Sequence, residues 1–222
     1  MKNHIPNTIT LFNMLSGILS IYAAMSGYLD LAAYLIFIAG IFDFFDGFAA
    51  RLLNAKSEIG AELDSLADVV SFGVAPGFIL FQLINLSKSQ PIDFLDDFTI
   101  IPFIAFIIPA FAALRLAKFN VDEEQTDSFL GLPTPALAIF IASLPLIRSY
   151  LYEDGGFFYE TITNTYFLLS VAIIGSLLMV SRFPMFALKF KGFGWKKNKD
   201  KYIFIGISLL MVLLLKIVAI PF

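Results

Sequence analysis

The chain has no cysteine, one histidine (His4) and one tryptophan (Trp195) among 222 residues. Without cysteine there is no disulfide and no thiolate metal site. A single histidine excludes a His-rich metal centre and leaves little room for histidine acid–base chemistry. Charge is also scarce: Asp, Glu, Lys and Arg together make up 15%, against 59% hydrophobic residues and a mean hydropathy of +0.83. Ordinary soluble domains carry about 25% charged residues, so the composition indicates a polytopic membrane protein. No large soluble domain and no internal repeat is visible, and nucleic acid is not expected as a partner.

A bilayer core needs roughly 20 apolar residues in a helix. Apolar runs near 8–27, 30–53, 61–86, 98–119, 134–152, 161–181 and 202–222 lead to an expected all-α bundle of about seven spans, the last interrupted by Lys216. The small residues Ala23 and Ala24 could mark a signal-peptide cleavage site, but the basic n-region is weak and Asn13 breaks the apolar run, so a retained helix is expected. With the N-terminus placed inside, Lys2, Arg51, Lys56, Arg115, Lys118, Arg182, Lys189, Lys191, Lys196, Lys197, Lys199 and Lys201 face the cytoplasm, and only Lys88, Arg148 and Lys216 face outward. The positive-inside rule favours that orientation. The basic run 189–201 reads as a juxtamembrane linker touching anionic headgroups with Trp195 at the interface, or as a topology signal alone. The expected organisation is a membrane domain over 1–184, a basic cytoplasmic linker over 185–201 and an additional span over 202–222.

Inside this apolar chain lies a compact polar pattern. Asp43, Asp46, Gly47, Ala50 and Arg51 are followed, after eight residues, by Gly60, Asp64 and Asp68. Carboxylates in such a setting are expensive and mark a functional site by default. Asp43 and Asp46 share one helix face, Asp64 and Asp68 share another, and Gly60 precedes Asp64 by one turn. The short connection makes the two helices antiparallel neighbours, expected to bring both pairs face to face near the cytoplasmic surface. Four ionised carboxylates at close quarters need a compensating cation. Oxygen-only ligands select Mg²⁺, Mn²⁺ or Ca²⁺, and two such ions would cancel the four charges. A two-metal clamp suits phosphoryl transfer. Gly47, Ala50 and Gly60 remove side chains, permitting close helix packing or close approach of a ligand, and Arg51 could bind a phosphate oxygen.

The pattern D-x-x-D-G-x-x-A-R-x8-G-x-x-x-D-x-x-x-D matches in full the signature of the CDP-alcohol phosphotransferases. The resemblance implies an integral membrane enzyme that uses a CDP-linked donor, with Asp43, Asp46 and Asp64 as metal ligands and Asp68 as general base able to share in metal binding. Further segments resemble the membrane-embedded phosphatidylserine synthases of bacteria and archaea: Pro6-Asn7, Thr10, Asn13 and Gly17; Asp64 to Pro76; Arg115 to Asn120; and Phe129 to Pro135. One departure is Lys118, where such proteins often carry Arg. The implied donor is CDP-diacylglycerol and the implied acceptor L-serine, attacking directly with Asp68 taking the hydroxyl proton and CMP leaving. Asn7 and Thr10 are candidates for contact with the cytidine or ribose. Asn13, on the same face, reads rather as an interhelical hydrogen-bonding residue. Arg115 and Lys118 are candidates for the serine carboxylate, with topological anchoring an equal alternative. Gly131, Pro133 and Pro135 read as a backbone turn before substrate contacts. The resemblance also implies a homodimer, while the Lys/Arg bias puts the expected active site at the cytoplasmic face of the cytoplasmic membrane.

Rival functions start from the same residues. Glycerol 3-phosphate, inositol phosphate or another alcohol could be the acceptor of the same chemistry. A divalent-cation channel or transporter would also place carboxylates in the membrane, but it needs a polar path, and spans five to seven offer few polar residues. A prenyl transferase would require a D-D-x-x-D spacing that the chain lacks.

Overall fold

The computed structural model describes residues 4–55, 57–87, 100–121, 131–183 and 216–220, with isolated positions 199, 206, 211 and 213. Among the described residues the chain is all-helical. Helix α1 is His4–Met25, α2 Leu29–Leu52, α3 Glu58–Asp68, α4 Ala75–Asn85, α5 Ile107–Val121, α6 Thr134–Tyr150, α7 Gly156–Ile162 and α8 Thr165–Val180. A π-helical turn, Val69–Val74, joins α3 to α4 without a break, and a 3-10 turn, Ile101–Phe106, leads into α5.

Among the described residues four stretches are long and apolar enough to cross a membrane: His4–Met25, Leu29–Leu52, Glu58–Asn85 and Ile101–Val121. They match the first four expected spans. The expected span 161–181 corresponds to α8, which is preceded by α7 with a bend of 63° between them, and counting that pair as one span gives five among the described residues. The expected span 134–152 is α6, which at 17 residues and a rise of ~1.5 Å per residue is about 25 Å long, shorter than a bilayer core of about 30 Å. The expected span 202–222 lies mostly outside the described residues, as do Lys2, Lys56, Lys88, Phe129 and the basic run 189–201 apart from Lys199. A 3-10 turn at Lys216–Ala219 packs against α6, with the Lys216 ammonium 6.0 Å from the centre of the Tyr150 ring.

The packing inverts the pattern of a soluble helix. In α1 the buried residues are Pro6, Thr10, Asn13, Ser16, Gly17, Ser20, Ala23 and Ala24, while Leu11, Phe12, Leu15, Ile18, Leu19 and Tyr22 are exposed. Lipid tails are as apolar as leucine, so small and polar residues gather where helices meet and large apolar ones face outward. The deeper core is aliphatic and aromatic, built from Ile36, Phe72, Ile79, Leu80, Ile108, Ile141, Leu144 and Leu168.

Two local devices shape the bundle. Two residues after the π-turn ends comes Pro76, in the first turn of α4, which has no N–H to give to the ladder. Widening the helix by one residue accommodates that gap and brings Ser71 and Gly73 against neighbouring helices. A β-carbon on Gly73 would lie 3.0 Å from the Ala112 side chain on α5. The second device is Gly131, with φ +75 and its N–H donating to the Phe183 carbonyl at 2.9 Å. Leu132 N–H donates to the Leu178 carbonyl at 3.0 Å, so the turn expected around Gly131 and Pro133 ties the start of α6 to the end of α8.

The chain reversals sort the ends of the helices. The α1–α2 turn, the end of α4 and the end of α6 share one end of the bundle, where Gly27, Leu86 and Ser149 line one hollow. At the other end lie the start of α1, the α2–α3 connection, the end of α5 and the start of α6, linked by Ser65–Asn120 and Arg115–Thr134 hydrogen bonds. The aspartates sit at this second end.

Candidate active site

Asp43 and Asp46 belong to the last three turns of α2, and Asp64 and Asp68 to α3. The connection between them reverses through Ala55 and Asn54, the latter in the left-handed region at φ 49. Ser57 then caps α3, its hydroxyl accepting from Gly60 N–H at 3.1 Å.

The two helices bring Asp43 opposite Asp64 and Asp68, as expected of antiparallel neighbours, but their backbones are not in close side-by-side contact. Instead α3 lies along α1, and α2 and α3 diverge. Between them is a cavity of about 200 Å³ lined by Pro6, Asn7, Thr10, Asp46, Gly47, Ala50, Ala55, Ser57, Gly60, Ala61 and Asp64. Gly47, Ala50 and Gly60 are therefore walls of a hollow and not a helix–helix seam. Five of the six residues read from the sequence as donor contacts, namely Asn7, Thr10, Gly47, Ala50 and Gly60, line it together. A β-carbon on Gly60 would lie 3.2 Å from Asn7 Oδ1, so that carboxamide reaches across the hollow to α3. Arg51 is exposed, and its guanidinium folds back along Gly47, 3.6 Å from where a β-carbon would be.

Beside this cavity Asp43, Asp64 and Asp68 each offer a carboxylate oxygen, and the three oxygens lie within 4.8 Å of one another. The tight group thus includes Asp68 and leaves Asp46 at its flank, on the cavity wall. Asp46 is 5% exposed and Asp68 9%, while Asp43 and Asp64 are half-buried. Asp46 Oδ2 and Asp64 Oδ1 are buried without a hydrogen-bond partner. Each such orphan acceptor costs about 1–3 kcal/mol, more when charged. Converging, under-satisfied, all-oxygen acceptors are the donor set a hard divalent cation takes, so these residues fit such a metal.

Arg115, on α5, is half-buried. Its Nη1 donates to the Thr134 hydroxyl at 3.0 Å, and its Nε is buried with no partner. Lys118 is exposed, and neither residue lines the cavity. Thr134, at the start of α6 and fully buried, was not given a role from sequence, although it lies within the segment Phe129 to Pro135 that carries part of the resemblance. Asn13 was read as an interhelical residue. It is that, and its Nδ2 also donates to Asp68 Oδ1 at 3.4 Å. Its spacing of three from Thr10 was the available signal.

Comparison with known families now bears on the arrangement. Residues 3–178 match the profile of the CDP-alcohol phosphatidyltransferases. The chain belongs to this family. Among its relatives, the CDP-diacylglycerol–serine O-phosphatidyltransferase of Helicobacter pylori is 33% identical over 211 residues, covering 93% of this chain and 81% of the relative. The protein of the same name from Bacillus subtilis is 35% identical over 191 residues, covering 83% and 92%. A third, from Methanocaldococcus jannaschii, is 36% identical over 148 residues, covering 66% and 63%. The match to this phosphatidyltransferase family takes in α1 to α8 almost whole, and the carboxylate cluster and cavity fall inside it.

Proposed function

We propose that the chain transfers the phosphatidyl group of CDP-diacylglycerol to the hydroxyl of L-serine, giving phosphatidylserine and CMP. The observation that carries this reading is the small-walled cavity opening beside three converging carboxylates. The names of the similar proteins support serine as acceptor. Asn7 and Thr10 line the hollow where the nucleotide would lie, and the missing side chains of Gly47, Ala50 and Gly60 leave space for its backbone-close approach. Arg51, exposed beside Gly47, would bind a phosphate oxygen of the donor. Asp43, Asp46 and Asp64 would hold one or two divalent ions, with Asp68 able to share; a bound ion there supplies electrostatic stabilisation to the phosphoryl oxygens. Asp68 accepts the proton of the serine hydroxyl as its oxygen bonds to the phosphorus that bears diacylglycerol, and the bond from that phosphorus to the CMP oxygen breaks. General-base help of this kind contributes about 10²–10⁴-fold. Arg115, held by Thr134 and with a spare N–H, is the cation best placed for the serine carboxylate. Exposed Lys118 is the weaker candidate.

The site then lies at the cytoplasmic face of the cytoplasmic membrane, with the acyl chains left in the bilayer. That orientation rests on the Lys/Arg bias; the homodimer rests on the resemblance alone. The decisive experiment incubates purified protein with CDP-diacylglycerol and labelled serine, then with glycerol 3-phosphate or inositol phosphate in place of serine. Labelled phosphatidylserine with stoichiometric CMP is expected. CMP release only with a phosphorylated acceptor would reassign the substrate, and no CMP release with any acceptor would remove the transferase reading.

A further inference from the structure

Asn13 sits midway along α1 on its inward face, between Thr10 and Gly17. It is 0% exposed, and among the largest fully enclosed side chains of the described residues it is the one carboxamide. Its two polar ends are treated differently: Nδ2 donates to Asp68 Oδ1, and Oδ1 has no partner. An amide present only to join two helices would have both ends satisfied, and a residue present only to fill space would be apolar. The backbone beneath the amide is held as well. The Ser71 hydroxyl donates to the Asn13 carbonyl at 3.0 Å. One turn on, Gly17 brings α1 against Ser71 so closely that a β-carbon would lie 2.7 Å from the Ser71 Cα. Ser71 belongs to the π-turn that begins one residue after Asp68. The local widening that follows the carboxylate therefore also delivers the hydroxyl that fixes the amide facing it.

We infer that Asn13, braced by Ser71 and the π-turn, is a positioning residue for Asp68: it holds one carboxylate oxygen so that the other is presented to the acceptor hydroxyl. The inference rests on the reading of Asp68 as general base. The test uses the full-length protein in detergent–lipid mixed micelles with CDP-diacylglycerol and serine. Asn13→Leu keeps approximate volume and removes the donor. Its kcat is expected to fall about 10–100-fold, the range typical of an outer partner of a reacting group. Both KM values should stay within about twofold, with a Tm at or above that of the parent. Ser71→Ala should give a smaller fall in kcat, again with unchanged KM. Parental kcat in Asn13→Leu, or a loss expressed as raised KM or as lowered Tm, overturns the inference. Should Asn13→Leu fail to fold, Ser71→Ala decides, and parental kcat there overturns it. Asp68→Asn measured in parallel separates the two levels. Full activity in that variant removes the base and this role with it, whereas an inactive Asp68→Asn beside a fully active Asn13→Leu removes the positioning role alone.

Discussion

Replacing Gly60 with alanine tests the cavity as the donor site, because stability and activity should part company there. A β-carbon at this position meets Ser57 Oγ at 3.0 Å and Asn7 Oδ1 at 3.2 Å, both tighter than ordinary contact and both on side chains that can turn away. Alanine recovers up to about 1 kcal/mol of helix propensity over glycine. Turning Ser57 away forfeits its cap on the Gly60 N–H, which is worth about 1 kcal/mol. The two nearly cancel, so thermal unfolding followed in detergent should shift little. Asn7, pushed off the wall, loses one hydrogen bond to the donor, worth about 1–1.5 kcal/mol, or roughly a five- to tenfold rise in KM for CDP-diacylglycerol. The serine KM should not follow. The assay is initial-rate CMP release with each substrate varied in turn. An unchanged donor KM, or a rise confined to serine, would refute the assignment of this hollow to the nucleotide.

Asp68→Asn should fold and retain donor binding while kcat drops by about 10²–10⁴-fold; parental turnover would sink the assigned base. Chelation should abolish CMP release and added Mn²⁺ or Mg²⁺ should restore it, since Asp46 Oδ2 and Asp64 Oδ1 are buried acceptors in search of a cation; a chelator-insensitive enzyme would exclude the metal. Gly131→Ala should lower Tm with little change in KM. Its φ of +75 and a β-carbon 2.6 Å from the Met179 carbonyl combine left-handed strain with a backbone clash, costing about 1–3 kcal/mol, and an undisturbed Tm would contradict the tie between α6 and α8.

The first four spans and the aspartate cluster could be read before any coordinates, for one reason: in an apolar chain both long hydrophobic runs and rare charges stand out. What could not be read depends on contacts between helices. The divergence of α2 and α3 turns on α1 lying along α3, which the spacing within either helix does not record. Spacing correctly put Asp64 and Asp68 on one face, but Asp43 joins them in the close trio and Asp46 stands aside, a distinction of rotation between helices. The π-turn hangs on Pro76 and on the crowding of Gly73 against α5, neither of which changes the hydropathy of the run. Asn13 reads as an interhelical hydrogen-bonding residue and is one, but its partner could not be read because the link to Asp68 crosses 55 positions of sequence. The bend between α7 and α8 falls at Asn164, whose side chain accepts from the N–H groups of Tyr166 and Phe167 and so starts a new helix inside an apolar run.

The inward face of α1 has a consequence for anyone wishing to handle this enzyme outside a bilayer. Threonine, serine, glycine and alanine give the helix its interior, and the bulky residues Leu11, Phe12, Leu15, Ile18, Leu19 and Tyr22 point outward. Exchanging that outer ring for charged residues would forfeit the stacking of Phe12 on Phe42 and keep the small-residue interior of α1, yet it would leave the helix little to gain in water from docking. Water drives together apolar area at about 25 cal/mol per Å², and small side chains supply little of it. The surroundings of α1 are thus a component of its stability: a solubilising agent for this protein has to replace the lipid that solvates the outer ring, and not merely disperse it.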